Sequence, residues 1–585
     1  MSNAEPNYRH LGEVFFQRAA QLGDRTFLKL QSAGKFEEIS WRDFETMVRE
    51  TLLGLDALGL RAGDRVAIVG ENSLPWLCAD MATLAAGLSN VVISSRLSEP
   101  TLLKQLAHAG ARAAFVENET AAGRLLNLQG QLPGLEHIIT FTGPHGALPN
   151  TLSFDDLRSR GRRASEEKLR RILESVHEDD LATIMYTSGS TGDPKGVMKT
   201  QKNILSNITS GQPLTLSKPE EVAAMVLTTN HLLGRFCFHK GAATGRTTAM
   251  LEATELDVDI AGIAALSPTS MTIVPRVMER IWSALLARDD IGRSWEELER
   301  LDRKKQDGGA LDAGEDARFE DVQRRLKDSV RGALGGRIKY ISYSGAPMAP
   351  RIIRFFQLAG VPLLGSYGST ECGGVTLSGI GDIRPGNLGK PFANVEVRIA
   401  EDGEILVRGP TITPGYFNDP RATSEVLDGD GWFHSGDLGV LESDGSLRIV
   451  GRKKDAFYCS DGSNIDPRQV EMLLEGDSFI RQALLLGDRK PFMAALVVPD
   501  TAAIATALGE PAASLTDAEM REAIMRRVEE INRRLDEHER IRDIALVGGE
   551  FPASVRSVTG FKVKIDRKAV QELYAPQIQQ IYQGR

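Results

Sequence analysis

Residues 185–197 read Met-Tyr-Thr-Ser-Gly-Ser-Thr-Gly-Asp-Pro-Lys-Gly-Val and follow an apolar run, residues 181–185, that predicts a strand. The three glycines of this stretch allow the backbone to approach an anion closely and to turn N–H groups toward it. Four aliphatic hydroxyl side chains add donors that rotate to suit a ligand, and Lys195 adds a mobile positive charge. An ordinary surface turn is the alternative, but such a turn has no need of a lysine between Pro194 and Gly196. The stretch therefore favours a polyphosphate ligand.

The position of the lysine separates this stretch from a Walker loop, in which Ser or Thr follows the lysine. The stretch instead resembles the phosphate loop of the adenylate-forming superfamily, which includes acyl-CoA synthetases, peptide-synthetase adenylation domains and firefly luciferase. The resemblance implies that these loop residues surround the phosphates of ATP: Thr187, Ser188, Gly189, Ser190, Thr191, Gly192 and Lys195.

The size and charge of the chain narrow its class. A chain of 585 residues is too long for a single hydrophobic core and is expected to form two or more domains. Hydrophobic residues make up 42% and charged residues 25%, as in ordinary globular proteins. The 70 basic and 79 acidic side chains leave a net charge of -9. This balance argues against a general nucleic-acid-binding protein, which needs a basic excess to meet phosphate backbones.

The four cysteines are far apart and include no Cys-x-x-Cys pair. They indicate neither a zinc site nor a disulfide framework, so a reducing compartment, the cytoplasm, is the expected location. The N-terminus lacks the pattern of a signal peptide. Asp80 and Asn90 interrupt the apolar run 76–93, which therefore predicts a buried helix followed by a strand, not a transmembrane segment. Peripheral membrane contact and the oligomeric state stay open.

Helix and strand patterns alternate over roughly the first 140 residues. Residues 27–30 and 36–39 predict two paired strands, and Ser40 is the predicted cap of the helix that follows. Residues 66–69 predict a buried strand that leads into another helix. Such βα repetition predicts an α/β fold with parallel sheets and helices on their faces.

A second motif, Gly-Ser-Tyr-Gly-Ser-Thr-Glu, occupies residues 365–371. Tyr367 offers a flat face for a purine, Gly368 permits close backbone approach, and Thr370 can donate to a phosphate. Glu371 is a hard oxygen ligand suited to Mg²⁺. A capped turn between a strand and a helix is the alternative. The resemblance implies that Thr370 and Glu371 are catalytic. It also implies that the nucleotide contacts two further groups of residues: Ser366, Tyr367, Gly368 and Ser369 in this motif, and Gly345, Ala346 and Pro347 after a strand predicted at 338–343.

A third motif, residues 431–439, places Asp437 between tight turns. An ionised carboxylate accepts two hydrogen bonds well, which suits the neighbouring hydroxyls of a ribose. A plain Gly-Asp turn is the alternative. The resemblance implies that Asp437 binds the ribose and that Arg452 contacts the ribose and phosphate as a catalytic residue.

A domain boundary is predicted after residue 451, because the remaining residues suffice for a small α/β domain. By the resemblance, residues 1–451 form the domain that binds ATP and the acid, residues 452–455 form a hinge, and residues 456–585 form a small mobile α+β domain. Lys454 falls on the hinge position and contributes to nucleotide binding. Gly462 falls on the loop that lines the pantetheine passage after the small domain rotates.

The last motif, Lys-Val-Lys-Ile-Asp-Arg-Lys, occupies residues 562–568. It resembles the superfamily motif that carries the adenylation lysine. Alignment on Ile-Asp-Arg-Lys assigns that lysine to Lys564, with Lys562 as the alternative. A basic surface strand is the other interpretation, since charge runs are usually solvated.

Shorter stretches of resemblance bear on which acid the protein uses. A strand predicted at 222–227 leads to His231, which in the family lies beside the acyl substrate and is assigned as catalytic; a structural histidine is equally open. Gly234 and Arg235 stand where long-chain synthetases carry a glutamate. Residues 288–335 predict a solvated helical hairpin, and bacterial long-chain fatty acyl-CoA synthetases carry such helices beside the acyl tunnel. The resemblance to them implies a medium- or long-chain fatty acid.

The ordered motifs imply the fold of an adenylate-forming enzyme. Its large N-terminal domain has stacked mixed β-sheets, flanking helices and a β-barrel-like subdomain. The implied reaction uses ATP and Mg²⁺ to convert a carboxylic acid to acyl-AMP with release of pyrophosphate, and then forms a thioester with coenzyme A. Two other functions stay open: a ligase that passes the acyl group to the phosphopantetheine thiol of an acyl carrier protein, and a nucleotide-binding protein without turnover.

Overall fold

The computed structural model describes residues 8–32, 35–143, 148–187, 194–210, 217–251, 253–254, 257–306, 309–384, 386–454, 457–458, 464–465, 467–488, 490–533, 535–549, 551–552, 556–559 and 562–583. Within these residues the chain is an α/β protein with two large sheets, a third antiparallel sheet, and a small C-terminal unit of strands and helices.

The first sheet contains nine of the described strands: β1 (Thr26–Ser32), β2 (Lys35–Ser40), β10 (Val222–Met225), β11 (Thr247–Met250), β14 (Ser270–Ile273), β15 (Tyr340–Tyr343), β16 (Leu363–Ser369), β17 (Gly373–Leu377) and β18 (Lys390–Pro391). Their order is β18-β17-β16-β15-β14-β10-β11-β1-β2. The strands from β16 to β1 run parallel, and antiparallel strands close both edges.

The second sheet contains seven of the described strands: β3 (Arg65–Val69), β4 (Ser89–Ile93), β5 (Ala113–Val116), β6 (His137–Thr140), β7 (Thr151–Ser153), β8 (Leu181–Thr187) and β9 (Lys195–Thr200). Their order is β7-β6-β5-β3-β4-β8-β9, and every neighbouring pair is parallel except β8 with β9.

The third sheet is antiparallel and contains β19 (Glu396–Ile399), β20 (Glu404–Arg408), β21 (Phe433–Leu441) and β22 (Leu447–Arg452). It packs against the β16–β17 hairpin around one apolar core. The remaining described strands are β12 (Ala253–Thr254), β13 (Asp257–Val258), β23 (Phe457–Tyr458), β24 (Asn464–Ile465), β25 (Ile480–Leu486), β26 (Met493–Pro499), β27 (Ile541–Leu546), β28 (Arg556–Thr559) and β29 (Lys562–Ile565).

The α-helices of the described residues are α1 (Leu11–Leu22), α2 (Trp41–Ala57), α3 (Leu74–Ala85), α4 (Glu99–Ala109), α5 (Glu119–Leu128), α6 (Phe154–Gly161), α7 (Glu166–Ser175), α8 (Gln201–Thr209), α9 (Leu232–Thr244), α10 (Ile260–Leu266), α11 (Pro275–Leu286), α12 (Asp289–Gln306), α13 (Ala313–Ala333), α14 (Pro350–Leu358), α15 (Pro420–Val426), α16 (Pro467–Glu475), α17 (Thr501–Leu508), α18 (Asp517–Asn532), α19 (Arg567–Leu573) and α20 (Ala575–Gln583). In this part of the chain, no helix is both long enough and apolar enough to cross a membrane.

The large sheets and their helices form five layers. The main core lies between the two sheets, where α1, α2, α3, α8 and α9 bury their apolar faces. Helices α4 and α5 cover the outer face of the second sheet, and helices α10 to α14 cover the outer face of the first. Both sheets are therefore buried on two sides, as the apolar strand patterns predict.

Several local predictions are confirmed because they depend on short-range chemistry. Strands β1 and β2 pair antiparallel, and the Ser40 side chain accepts a hydrogen bond from the backbone N–H of Asp43 at the start of α2. The run 76–93 forms most of α3, followed by β4. The strands predicted at 222–227 and 338–343 are both shorter in the structure, where β10 ends at Met225 and β15 begins at Tyr340.

The charged segment 288–335 forms a helical hairpin of α12 and α13, but the expectation of a merely solvated hairpin is wrong for one of its faces. Trp295, Leu298, Val322 and Leu326 are buried in the core on the outer face of the first sheet. The Arg351 guanidinium of α14 donates to both carboxylate oxygens of Glu299, at 2.6 and 2.8 Å. Apolar residues at helical spacing, spread among many charges, explain why one face packs inward.

Candidate active site

Strands β8 and β9 form an antiparallel hairpin on either side of the predicted phosphate loop, and we call it the phosphate hairpin. Thr187 is the last residue of β8, Lys195 is the first residue of β9, and the two pair across the hairpin. Ser188, Gly189, Ser190, Thr191 and Gly192 lie outside the described residues. Strand β9 is also hydrogen-bonded to residues 415–417, where Phe417 N–H donates to Gly196 and Met198 N–H donates to Gly415. A later segment of the chain, residues 415–417, thereby lies beside β9, which begins at Lys195.

Tyr416 connects Lys195 to Glu371. The Lys195 ammonium lies 4.9 Å from the centre of the Tyr416 ring, within range of a cation–π interaction. The hydroxyl of the same tyrosine donates to Glu371 Oε1 at 3.2 Å. Two residues predicted from separate motifs, one for the phosphates and one for Mg²⁺, therefore converge on one aromatic side chain.

Asp437 is held by two donors within the described part of the site. Tyr367 Oη donates to Asp437 Oδ2 at 2.8 Å, and Arg452 Nε lies 2.9 Å from Asp437 Oδ1. The arginine is in place because β21 and β22 pair Asp437 with Arg452. Burial raises the pKa of the Asp437 carboxyl above its ordinary value, against the opposing effects of Arg452 and Tyr367. Each carboxylate oxygen keeps lone pairs for a further donor such as a ribose hydroxyl.

The second motif and the turn after β15 meet at the carboxyl edge of the first sheet. Gly345 has a φ of 88°, a conformation that favours glycine, and Gly345, Ala346 and Pro347 are exposed. The Ser344 hydroxyl donates to the carbonyl of Ser366 at 3.0 Å and ties this turn to β16. This edge is where open α/β sheets bind nucleotides.

The backbone of Gly368 and that of Gly373 are too close to allow a side chain between them. A Cβ at Gly368 would lie 2.2 Å from the Gly373 carbonyl oxygen. Ser369 and Thr370 follow on the same turn and are half-buried, as is Glu371. The requirement for glycine here comes from backbone packing, in addition to the approach of a ligand that the sequence predicts.

His231 and the predicted hinge residues lie at exposed positions. His231 precedes α9, and its side chain accepts no capping hydrogen bond. Arg452 and Lys454 are exposed, and Lys453 between them pairs with Asp402 and Glu404 at 2.6 and 3.0 Å. Gly462 lies outside the described residues. The backbones of Lys562 and Lys564 belong to β29, but their side chains are not among the parts of the chain that the structure describes.

Sequence reasoning missed Tyr416 and Lys199, both of which contact Glu371. Lys199 is buried and donates from Nζ to the carbonyls of Glu371 and Thr411 at 2.8 and 2.7 Å. A lysine four residues after a phosphate-loop lysine looks like another solvated charge, and a tyrosine in a turn looks structural. Neither role carries a signal in the sequence, because both depend on contacts between distant segments.

Comparisons with known proteins agree with this geometry. Residues 15–417 match the family model described as AMP-binding enzyme, and residues 454–585 match the model described as AMP-binding enzyme C-terminal domain. The chain belongs to the AMP-binding enzyme family. It is 31% identical over 577 residues to the long-chain-fatty-acid--CoA ligase FadD15 of Mycobacterium bovis, with 94% of this chain and 93% of that protein covered.

Solved structures of other AMP-binding enzymes share the fold. The adenylation domain of the carboxylic acid reductase from Segniliparus rugosus, solved with AMP and a co-purified carboxylic acid, matches with a TM-score of 0.71 at 19% identity, over 99% of this chain and 95% of that one. The anthranilate CoA ligase AuaEII, solved with anthranoyl-AMP, matches with a TM-score of 0.73 at 20% identity, over 98% of this chain and 99% of that one.

The hydroxyl of Tyr416 is expected to orient Glu371 for metal binding in this AMP-binding enzyme. Replacing Tyr416 by Phe removes that hydrogen bond, and loss of a group that orients a metal-binding carboxylate typically weakens metal binding by about tenfold or more. We expect Tyr416→Phe to raise the Mg²⁺ concentration for half-maximal pyrophosphate release by about tenfold. Tyr582→Phe, which removes a hydroxyl bonded to the Phe492 carbonyl, is the control and should leave it unchanged. An unchanged Mg²⁺ requirement in Tyr416→Phe would exclude this role.

The Lys199 ammonium predicts a pH dependence of stability. Burial lowers the pKa of Lys199 from 10.5 to about 8, with the neighbouring Cys372 and Glu371 opposing the shift. Between those values the unfolded chain binds more protons than the folded chain, so this lysine makes the free energy of unfolding rise with pH, by about 3 kcal/mol in total. The melting temperature of the wild type minus that of Lys199→Met should therefore increase from pH 7.5 to pH 10. A constant difference would contradict the lowered pKa.

Proposed function

We propose that the chain is a fatty acid–CoA ligase that forms acyl-AMP from ATP and then transfers the acyl group to coenzyme A. One observation carries the proposal: the lysine of the phosphate hairpin and the carboxylate of Glu371 meet at Tyr416. A fixed cation and a carboxylate able to bind Mg²⁺ at one point suit a polyphosphate. The relatives named as long-chain fatty acid–CoA ligases support the choice of acid.

The first half-reaction joins two anions, so the protein has to neutralise charge and align the reactants. A carboxylate oxygen of the acid forms a bond to the α-phosphorus of ATP. The bond from that phosphorus to the oxygen that bridges to the β-phosphate breaks, and pyrophosphate leaves. In this proposal the phosphate hairpin with Lys195 holds the β- and γ-phosphates, Thr370 donates to a phosphate, and Lys564 holds the acid carboxylate against the α-phosphate.

The residues at Glu371 fit a magnesium ion. The carboxylate is half-buried, and one of its oxygens is oriented by Tyr416 while lone pairs remain for a metal. When bound, Mg²⁺ supplies positive charge that offsets the charge of the phosphate oxygens. Glu371 would hold the ion, and Lys195, over the ring of Tyr416, would add a second positive charge.

The nucleoside part of ATP is assigned to the remaining residues of the site. We assign the adenine to the exposed turn Gly345–Pro347, with Tyr367, which is only 5% exposed, as the predicted stacking face, and the ribose hydroxyls to Asp437. The carboxylate of Asp437 is already oriented by Tyr367 and Arg452, so a ribose binds to an acceptor that needs no reorganisation. His231, at the start of α9, is assigned to the acid.

The second half-reaction requires a rearrangement of the small domain, residues 456–585. The thiol sulfur of coenzyme A bonds to the acyl carbon, AMP leaves with the oxygen of the broken bond, and the thiol proton is lost. In this proposal the domain turns about residues 452–455, with Lys454 at the hinge and Gly462 on the loop that then faces the thiol passage. The ion pairs of Lys453 with Asp402 and Glu404 support a fixed start of the hinge on the side of the large domain.

Pyrophosphate release over a panel of acids tests the function. The panel contains acetate, benzoate, octanoate and palmitate, each with and without coenzyme A, with Glu371→Gln as the inactive control. We expect release with the fatty acids to exceed release with acetate and benzoate at least tenfold, and acyl-CoA to form only with coenzyme A. Failure of all four acids to support pyrophosphate release would contradict an acid-activating enzyme. Thioester formation on a phosphopantetheinylated carrier protein, but not on coenzyme A, would reassign the acceptor to a carrier.

A further inference from the structure

Three polar residues at four-residue spacing form hydrogen bonds to the backbone of the turn that carries Glu371. Lys199 is the penultimate residue of β9, and Asn203 and Asn207 follow on α8; we call these three the 199–207 stripe. Asn203 Nδ2 donates to the Pro410 carbonyl at 2.8 Å. Asn207 Oδ1 accepts from the N–H of Gly374 at 2.8 Å. Together with Lys199, they attach two separate backbone segments, 371–374 and 410–413, to β9 and α8.

Of the three residues of the stripe, Lys199 is the one that contacts both backbone segments. Its ammonium donates to both segments, at 2.8 Å to the carbonyl of Glu371 and at 2.7 Å to that of Thr411. The Glu371 carbonyl also accepts from the N–H of Thr413 at 2.8 Å, so the two segments are bonded to each other at the same atom. The backbone of the proposed metal ligand is thus fixed at the point where three parts of the chain meet.

The burial of this lysine is costly and calls for an explanation. Lys199 is 2% exposed, and the two acceptors of its ammonium are neutral backbone carbonyls. A buried ammonium without a carboxylate partner is disfavoured by desolvation. A small cavity adjoins it that is also lined by Arg235 and His239, both of which are paired with Asp80. An apolar residue at this position would avoid the cost but would leave the Thr411 carbonyl without this donor.

We infer that Lys199 is a positioning residue for the adenylation half-reaction: its buried ammonium holds the turn that carries Glu371 in register with the phosphate hairpin. The inference rests on the proposed function of the site. Lys199 and Lys195 lie four residues apart on the same strand. A shift of the Glu371 turn away from Lys199 would also move the Glu371 carboxylate relative to Lys195 and Tyr416. Lys199 therefore acts through Glu371 and not on the substrate.

The test compares Lys199→Met with Lys202→Met. Lys202 lies on the same segment but is exposed and pairs with Glu178 at 2.8 Å, so its replacement controls for the loss of one positive charge. Two quantities are measured: the Mg²⁺ dependence of pyrophosphate release, and the affinity for MgATP by calorimetry without any acid. We expect Lys199→Met to raise the half-saturating Mg²⁺ concentration and the MgATP dissociation constant at least fivefold. Thioester formation from supplied acyl-AMP and coenzyme A should change less than twofold.

The outcomes separate this inference from its alternatives. A folded Lys199→Met variant whose Mg²⁺ and MgATP dependence stays within twofold of the wild type would overturn it, as would equal losses in both half-reactions, which indicate a general structural role. If Lys199→Met does not fold, Lys199→Gln replaces it, because the shorter amide keeps a donor but does not span both carbonyls. If the wild type releases no pyrophosphate with any acid, the proposed function fails, while the calorimetric comparison still decides the role of Lys199.

Discussion

Lys564→Ala is expected to lower the rate of acyl-AMP formation about a thousandfold and to leave thioester formation from supplied acyl-AMP within threefold of the wild type. Removal of one group that stabilises developing charge in a transition state typically costs about a hundredfold to a thousandfold. Here the proposed charge holds a carboxylate against a phosphate, two groups that repel each other. The second half-reaction joins a thiol to a neutral acyl carbon and has no need of this lysine.

Single-turnover measurements with each half-reaction run separately check this expectation. Lys562→Ala is the matched control, because it removes a lysine two residues earlier on the same strand, β29. It should retain adenylate formation within threefold. The opposite result, a severe defect in Lys562→Ala and a mild one in Lys564→Ala, would transfer the adenylation role to Lys562. Equal loss of both half-reactions in Lys564→Ala would contradict a small domain with two working orientations.

Arg235→Met is expected to destabilise the large domain by about 3–5 kcal/mol, the usual cost of removing one partner of a buried ion pair. Arg235 Nη2 lies 2.5 Å from Asp80 Oδ1, and both side chains are fully or almost fully buried. His239 Nε2 lies 2.7 Å from the other oxygen of Asp80. Burial alone raises the pKa of the Asp80 carboxyl, but Arg235 and His239 together hold that pKa below its ordinary value. Without Arg235, a buried carboxylate loses its permanent cation.

Urea unfolding, monitored by tryptophan fluorescence, measures this loss of stability in the large domain. All five tryptophans, at positions 41, 76, 282, 295 and 432, precede the predicted domain boundary. Arg293→Met is the control: Arg293 pairs with Asp289 at 2.7 Å, but the arginine is 78% exposed, so its loss should cost less than about 1 kcal/mol. Equal stability of the two variants would show that the Asp80 network contributes no more than a surface pair.

The predictions that hold best are those in which neighbouring residues decide the structure. Ser40 caps α2 because its hydroxyl meets an N–H three residues later, and the apolar run at 66–69 forms a buried strand because both of its faces need cover. The family was recognisable from the same kind of local signal, since glycines and hydroxyls around one lysine need only be close in sequence. The buried face of the 288–335 hairpin was missed, because its sparse apolar residues become significant only against a neighbouring sheet.

The sequence by itself determined the family and the α/β class, and it predicted the residues offered to ATP, because phosphate chemistry selects short motifs that can be recognised in one dimension. Only the tertiary structure decided which side chains position them. Tyr416 reaches Glu371 across 45 residues, Lys199 reaches the same residue across 172, and Arg235 reaches Asp80 across 155. Tyrosine, lysine and arginine occur in many surface and core settings, so their identity alone carries no information about a partner. The partner is selected by the packing of sheets and helices that brings these distant segments together.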